Sequence, residues 1–470
     1  MDSTDKAPSH HSQPSEFKRV SQHASSVLAG QLATMAFGVT DTIVCGRFSE
    51  ASLAALSVGT AVYMSLFVGL MGVLQALLPL WSELLGAQKQ HQLGYSFRQS
   101  LYLSMGLALA GILVLLHPAA ILKWGDVPEA MQAQVQSYLG ILSMALAPAL
   151  WFRLFSTLNQ SLGKPMLVTW LQIGSLALKV PLSIVLCFGW GGLEAQGVEG
   201  CAWATLAVQL LLALVAFTLL SRLKLYRAFR LFKFPEPPHW PTLSLFLKHG
   251  VPSGLTVLVE VTSFTLMALF IARLGTLASA SHQIAANLSA LLYMIPLAIS
   301  IATSARTSYW LGAQNFKLAH QTIRVGLKLV VSCALACSGL LLLLKHSLAS
   351  LYAANPDVVA LATSLLSWVA LFHLFDGLQA LAIFVLRCFK VTLLPFAIYA
   401  LLLWGLGLWG GYHLAYEGWA EWPAILSPVA FWSTGAAALA MAAVIFWTMI
   451  AYHLKGANRN EPQLNASDLQ

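Results

Sequence analysis

Apolar residues in this chain come in long blocks rather than in alternation. From about residue 23 to residue 454, stretches of twenty or more mostly apolar positions are broken by short segments carrying Gly, Pro and charge. At ~1.5 Å of rise per residue, a block of that length is what an α-helix needs to cross a hydrocarbon core about 30 Å thick. The pattern predicts twelve spans: 23–45, 51–80, 99–121, 131–156, 166–189, 200–221, 246–272, 280–308, 318–347, 358–387, 391–416 and 427–453. The second, eighth, ninth and tenth exceed the minimum, so tilt or projection beyond the bilayer is expected of them.

Composition agrees on the solvent. Hydrophobic residues make up 58% of the 470 and charged residues 9%, against about 25% charged in an ordinary soluble domain. The net charge of +8 raises nucleic acid as a partner, but its distribution argues for topology instead. Odd-numbered connections hold four basic residues (Arg47, Lys123, Arg273, Lys345), whereas the even connections, the helix ends facing them and the tails hold twenty-one. Acids show the reverse bias, with Glu50, Asp126, Glu129, Glu194, Glu199, Asp357, Glu417 and Glu421 on the sparse side. That asymmetry is the positive-inside pattern, with both termini cytoplasmic and an even number of spans. Membrane lipids, not nucleic acid, are the expected surroundings. No apolar leader with a cleavage site precedes the first span, so a secreted precursor is not expected. The six cysteines show no C-x-x-C spacing and read as small buried hydrophobes.

The chain repeats itself. Arg47 matches Arg273, and Leu85-Gly86-Ala87-Gln88 matches Leu311-Gly312-Ala313-Gln314, both at an offset of 226 residues. Pro128-Glu129 answers Pro356-Asp357 at an offset of 228. Six spans per half give corresponding helices the same orientation, which puts the repeat axis along the membrane normal and the substrate path between the halves. The predicted fold is therefore an all-α integral membrane protein of two six-helix lobes related by a pseudo-two-fold axis along the normal. Its parts are a polar tail (1–22), an N-terminal lobe (23–221), a basic, Pro-rich cytoplasmic linker (222–245), a C-terminal lobe (246–454) and a second cytoplasmic tail (455–470). The linker carries Arg222, Lys224, Arg227, Arg230 and Lys233, suited to anionic headgroups.

Three carboxylates fall inside apolar blocks: Asp41, Glu260 and Asp376. A charge at mid-bilayer depth costs about 2.5–3.5 kcal/mol even on the lenient insertion scale, so such groups mark wet cavities and ion pathways. Polar neighbours share their helix faces at three- and four-residue steps. They are Gln31, Thr34, Gly38 and Cys45 with Asp41, then Thr256, Ser263 and Met267 with Glu260, and His373 and Gln379 with Asp376. The eighth span adds Gln283 and Asn287, and the fifth adds Ser175, Lys179 and Ser183. Serine, threonine and glutamine also serve as glue between helices, and a lone His373 also satisfies itself by hydrogen bonding. The carboxylates cost too much for that. Burial disfavours the charged form of a carboxyl group, so one such site can take H⁺, Na⁺ or an organic cation by turns, the minimum for antiport.

These motifs resemble the multidrug and toxic compound extrusion (MATE) family, most closely its NorM branch. The residues that carry the likeness are Gly38-Val39-Thr40-Asp41-Thr42 with Gly46, Val259-Glu260-Val261-Thr262, His282-Gln283-Ile284-Ala285-Ala286-Asn287, Leu374-Phe375-Asp376-Gly377-Leu378-Gln379 and Leu386-Arg387. The resemblance implies a bacterial inner-membrane antiporter that exports small cationic, amphipathic drugs or dyes. It implies inward H⁺ or Na⁺ as the driving ion, no other cofactor, and a monomer. Glu260 and Asp376 match that branch's cation-coupling acids, with Na⁺ as a candidate ligand, and Asp41 matches its N-lobe aspartate. One departure stands out: the fifth span reads Lys179-Val180-Pro181-Leu182-Ser183 where the branch carries two asparagines. A Lys179–Asp41 pair in the N-lobe is the expectation, with a snorkelling Lys179 as the alternative. Two other functions remain open at this point. One is export or flipping of an endogenous or lipid-linked metabolite, which the acidic interior disfavours. The other is a membrane enzyme or receptor, for which no H-E-x-x-H, G-x-S-x-G or Walker motif is present.

Overall fold

The computed structural model describes residues 15–124, 127–190, 192, 194–233, 236–418 and 423–459. Most of both predicted tails, Asp126, Glu421 and Pro235 lie outside them. Among the described residues there are no strands, and twelve helices are long and apolar enough to span a membrane. In the first half they are α1 Glu16–Phe48, α2 Glu50–Gly86, α3 Gln90–Leu116, α4 Glu129–Ser161, α5 Pro165–Phe188 and α6 Val198–Arg222. In the second they are α7 Trp240–Ala272, α8 Thr276–Gly312, α9 Phe316–Tyr352, α10 Pro356–Cys388, α11 Leu393–Tyr416 and α12 Val429–Arg459.

Most helices outrun the apolar blocks that predict them. The first starts at Glu16, not near 23, because its opening turns are polar: Ser15 caps it by accepting from the Lys18 amide at 3.4 Å, and Glu16 is paired with Arg306. Hydropathy misses such ends, whereas capping chemistry marks them. Ser49, Asn315 and Asn355 accept from backbone amides at the starts of α2, α9 and α10. Pro148, Pro181, Pro252 and Pro296 stand inside α4, α5, α7 and α8, a placement membrane helices tolerate because neighbours re-satisfy the freed carbonyls. Part of α11, Leu401–Trp409, is wound as a π-helix.

Buried apolar side chains fall into two large clusters, one for each half of the chain. The exceptions define the axis. Val20 and Ala24, at the start of α1, belong to the second half's core, and Phe246, at the start of α7, belongs to the first's. A third, small cluster (Val27, Leu78, Ala298, Ile301, Ala305, Phe384) joins the lobes. The lobes therefore meet at the end of the bundle that carries the termini and the linker. Outward-facing Leu343 and Leu351 are 83% and 80% exposed, positions suited to lipid as the solvent.

Candidate substrate and coupling site

In the N-lobe, three helices converge on Asp41. Its Oδ1 is 2.8 Å from Lys179 Nζ and accepts from Ser183 Oγ at 3.1 Å. Lys179 also donates to Thr205 Oγ1 at 2.7 Å and to the Cys201 carbonyl at 3.0 Å. An ammonium has three donors, and here each has an acceptor. Lys179 is fully buried, so its stem does not run out to an interface. Toward the start of α1 the face opens: Gln31 is half-buried and Thr34 exposed, accepting from Gln172 Nε2 at 2.9 Å. A β-carbon at Gly38 would meet nothing within 4 Å.

In the C-lobe, Glu260 (α7) and Asp376 (α10) line one cavity of ≈ 30 Å³ together with Ser263, Met267, Phe264 and Tyr399. One water needs about 10–15 Å³ of such space, so the cavity has room for an ion or a water or two. The spacing 260, 263, 264, 267 places these residues on one face of α7. Tyr293 donates to Glu260 at 3.5 Å, and Gln379 Nε2 donates to Asp376 at 3.0 Å and contacts Tyr399 Oη at 3.5 Å. Among the described residues no Lys, Arg or His forms an ion pair with either acid. The buried Gln379 Oε1 has no hydrogen-bond partner. An orphaned acceptor beside a carboxylate costs about 1–3 kcal/mol unless something donates to it or binds it.

The remaining candidates separate from these two centres. Gln283 and Asn287 bond each other at 3.1 Å on an exposed face of α8. His373 is buried one turn from Asp376, but its Nε2 has no partner and it does not line the cavity. Sequence reasoning missed Tyr293, Tyr399 and Thr205, for tyrosines and threonines in apolar helices give no signal until the fold sets an acid or, for Thr205, the Lys179 ammonium beside them. It also missed Arg153, buried in α4 against the side-chain carbonyl of Gln75, and the buried setting of Arg387, whose guanidinium lies 4.6 Å over the Phe384 ring.

Two six-helix lobes spanning a membrane, with Asp41 buried in one and Glu260 and Asp376 lining a cavity in the other, define a membrane transport protein. The MatE family model matches residues 27–185 and 252–413, one stretch in each lobe, and the chain belongs to that family. It is 36% identical over 430 residues to the probable multidrug resistance protein NorM of Aromatoleum aromaticum, covering 91% of this chain and 92% of that protein. It is 30% identical over 456 residues to the multidrug resistance protein PmpM of Pseudomonas aeruginosa, covering 97% and 95%. The crystal structure of the eukaryotic MATE transporter AtDTX14 superposes with a TM-score of 0.84 at 19% identity, covering 94% of this chain and 98% of that one. The chain is thus a multi-pass membrane transporter and not an enzyme.

Proposed function

We propose that this chain is a secondary antiporter that exports small organic cations, drugs or dyes, in exchange for H⁺ or Na⁺. Glu260 and Asp376 carry the coupling, and Asp41, held by Lys179, serves the N-lobe. The observation that carries the reading is the C-lobe cavity. Two acids with no ion-pair partner among the described residues share a space of ≈ 30 Å³, and Gln379, bonded to Asp376, has an orphaned Oε1. Carboxylate, amide and hydroxyl oxygens suit a hard cation, and the same acids suit protons. A small ion taken there from one side and exchanged for an organic cation is the elementary event of antiport. The curated relatives named as multidrug resistance proteins support the substrate class and, being bacterial, an inner membrane, and the charge asymmetry supports both termini cytoplasmic.

The test uses purified protein in liposomes preloaded with ethidium, under an imposed pH gradient and separately a Na⁺ gradient. Ethidium movement under one gradient, lost in Asp376→Asn, is expected. Transport under neither gradient overturns the reading.

A further inference from the structure

Beside the Asp41–Lys179 pair lies a second layer of chemistry that antiport does not use. Cys45, Cys187 and Cys201 come from α1, α5 and α6, and their sulfurs all lie within 4.8 Å of one another. Cys45 Sγ and Cys201 Sγ are 3.4 Å apart. All three residues are 0% exposed. The arrangement is built by register: Asp41 and Cys45, Ser183 and Cys187, and Thr205 and Cys201 are each four residues apart, so each helix offers one polar group and one thiol on the same face, a turn apart. The result is a polar layer holding the lysine and, about 6 Å along the bundle, a thiol layer. Beyond the thiols the rings of Phe48 and Phe188 meet edge to face at 5.7 Å. Half of the chain's six cysteines converge at this point, whereas Cys333, Cys337 and Cys388 lie in the other lobe.

We propose that this thiol layer is a binding site for one soft, thiophilic metal ion of the Cu(I) class. A metal bonded to three sulfurs at about 2.3 Å, in their plane, holds them about 4 Å apart; here one pair is 3.4 Å apart and none is beyond 4.8 Å, so small shifts bring the three to that spacing. Thiolate sulfur selects soft ions. Zinc requires four ligands, but among the described residues no His, Asp, Glu or further Cys brings a fourth ligand atom within 4.8 Å of all three sulfurs, which leaves a three-coordinate ion as the fit. As each metal–sulfur bond forms, the S–H bond breaks and its proton leaves to solvent. The negative charge this builds lies next to the Lys179 ammonium, which touches the Cys201 carbonyl and is shared with Asp41. Access runs through the polar layer, where the Asp41 side chain keeps 10% of its surface exposed.

The test titrates the purified transporter with Cu(I), without oxygen, against a chromophoric Cu(I) chelator, and records X-ray absorption at the copper edge. One equivalent bound with a shell of three sulfurs near 2.3 Å is expected. Cys45→Ser, Cys187→Ser or Cys201→Ser should each weaken binding by at least about 100-fold. The combined Cys333→Ser, Cys337→Ser and Cys388→Ser protein should bind as wild type does. Retention of the metal by a protein lacking Cys45, Cys187 and Cys201, a nitrogen- or oxygen-dominated shell, or displacement of Cu(I) by equimolar Zn(II) overturns the proposal. The absorption spectrum of wild type decides the matter even where a serine variant fails to fold.

Discussion

Gly86 and Gly312 are pressed against each other's helices: a β-carbon on Gly86 would overlap the Tyr309 carbonyl, and one on Gly312 would overlap the Glu83 carbonyl. The contact is reciprocal, as a pseudo-two-fold axis demands. It is made by the two copies of the repeated Leu-Gly-Ala-Gln motif, whose glutamines, Gln88 and Gln314, turn the chain with φ of 58° and 56°. Glu83–Lys390 at 3.0 Å and Glu16–Arg306 at 2.6 Å flank it. The motif is therefore the latch where the lobes close at the terminal end. Gly312→Leu should hold that end apart by the width of a side chain. Spin labels at Lys89→Cys and Lys317→Cys, with native cysteines replaced, should report a longer and broader distance. An unchanged distribution would mean that the backbone contact does not set the closure.

Lys179 and Asp41 form an ion pair with both members buried. Removing one member of such a pair costs about 3–5 kcal/mol, because the other charge is left buried alone, whereas replacing both by neutral groups costs far less. Lys179→Met should therefore lower the melting temperature of the detergent-solubilised protein sharply, and Asp41→Asn added to it should restore most of the loss. If the double variant melts no higher than Lys179→Met, the pair is not what holds these helices together.

Glu260 and Asp376 share one cavity, so their effects on transport should not add. Groups acting at one site show interaction energies of about 0.5–3 kcal/mol in double-mutant cycles. Gradient-driven ethidium export should fall as far in Glu260→Gln as in Asp376→Asn, and no further in the double variant. Multiplied losses would assign the two acids to separate steps.

The linker is tied down by Arg98 and its neighbours on α3. Arg98 donates to the Glu236 carboxylate through Nη2 at 2.8 Å and to the Arg230 carbonyl through Nη1 at 2.7 Å, while Gln99 bonds the Pro237 carbonyl and the His239 amide. Bonds to charged groups contribute about 1.5–3 kcal/mol each, and 1.4 kcal/mol is a tenfold change in an equilibrium. Arg98→Ala should speed tryptic cleavage after Arg230 or Lys233 at least about tenfold, as read by gel and mass spectrometry. Equal rates would show that other contacts hold the segment.

Much of this was legible beforehand, for reasons specific to lipid. A helix must satisfy its own backbone in hydrocarbon, so block length alone predicted twelve spans, and the offset between Arg47 and Arg273 predicted two lobes. The cost of burying charge isolated Asp41, Glu260 and Asp376 among 470 residues. Polar helix ends escaped the hydropathy pattern, which is why α1 begins at Glu16.

What the sequence determined by itself is the set of groups that had to be sheltered and the helix faces that carry them, because helical periodicity and desolvation cost are local properties. Tertiary structure alone decided who shelters whom. Lys179 lies 138 positions from Asp41 in the chain and 2.8 Å from it in space. Tyr293 and Tyr399 reach Glu260 and Gln379 from helices with no acid of their own. The three cysteines, read singly as small apolar fillers, became a cluster only when α1, α5 and α6 packed in one register. Distances between helices are set by the packing of whole faces, and no residue's own identity contains them.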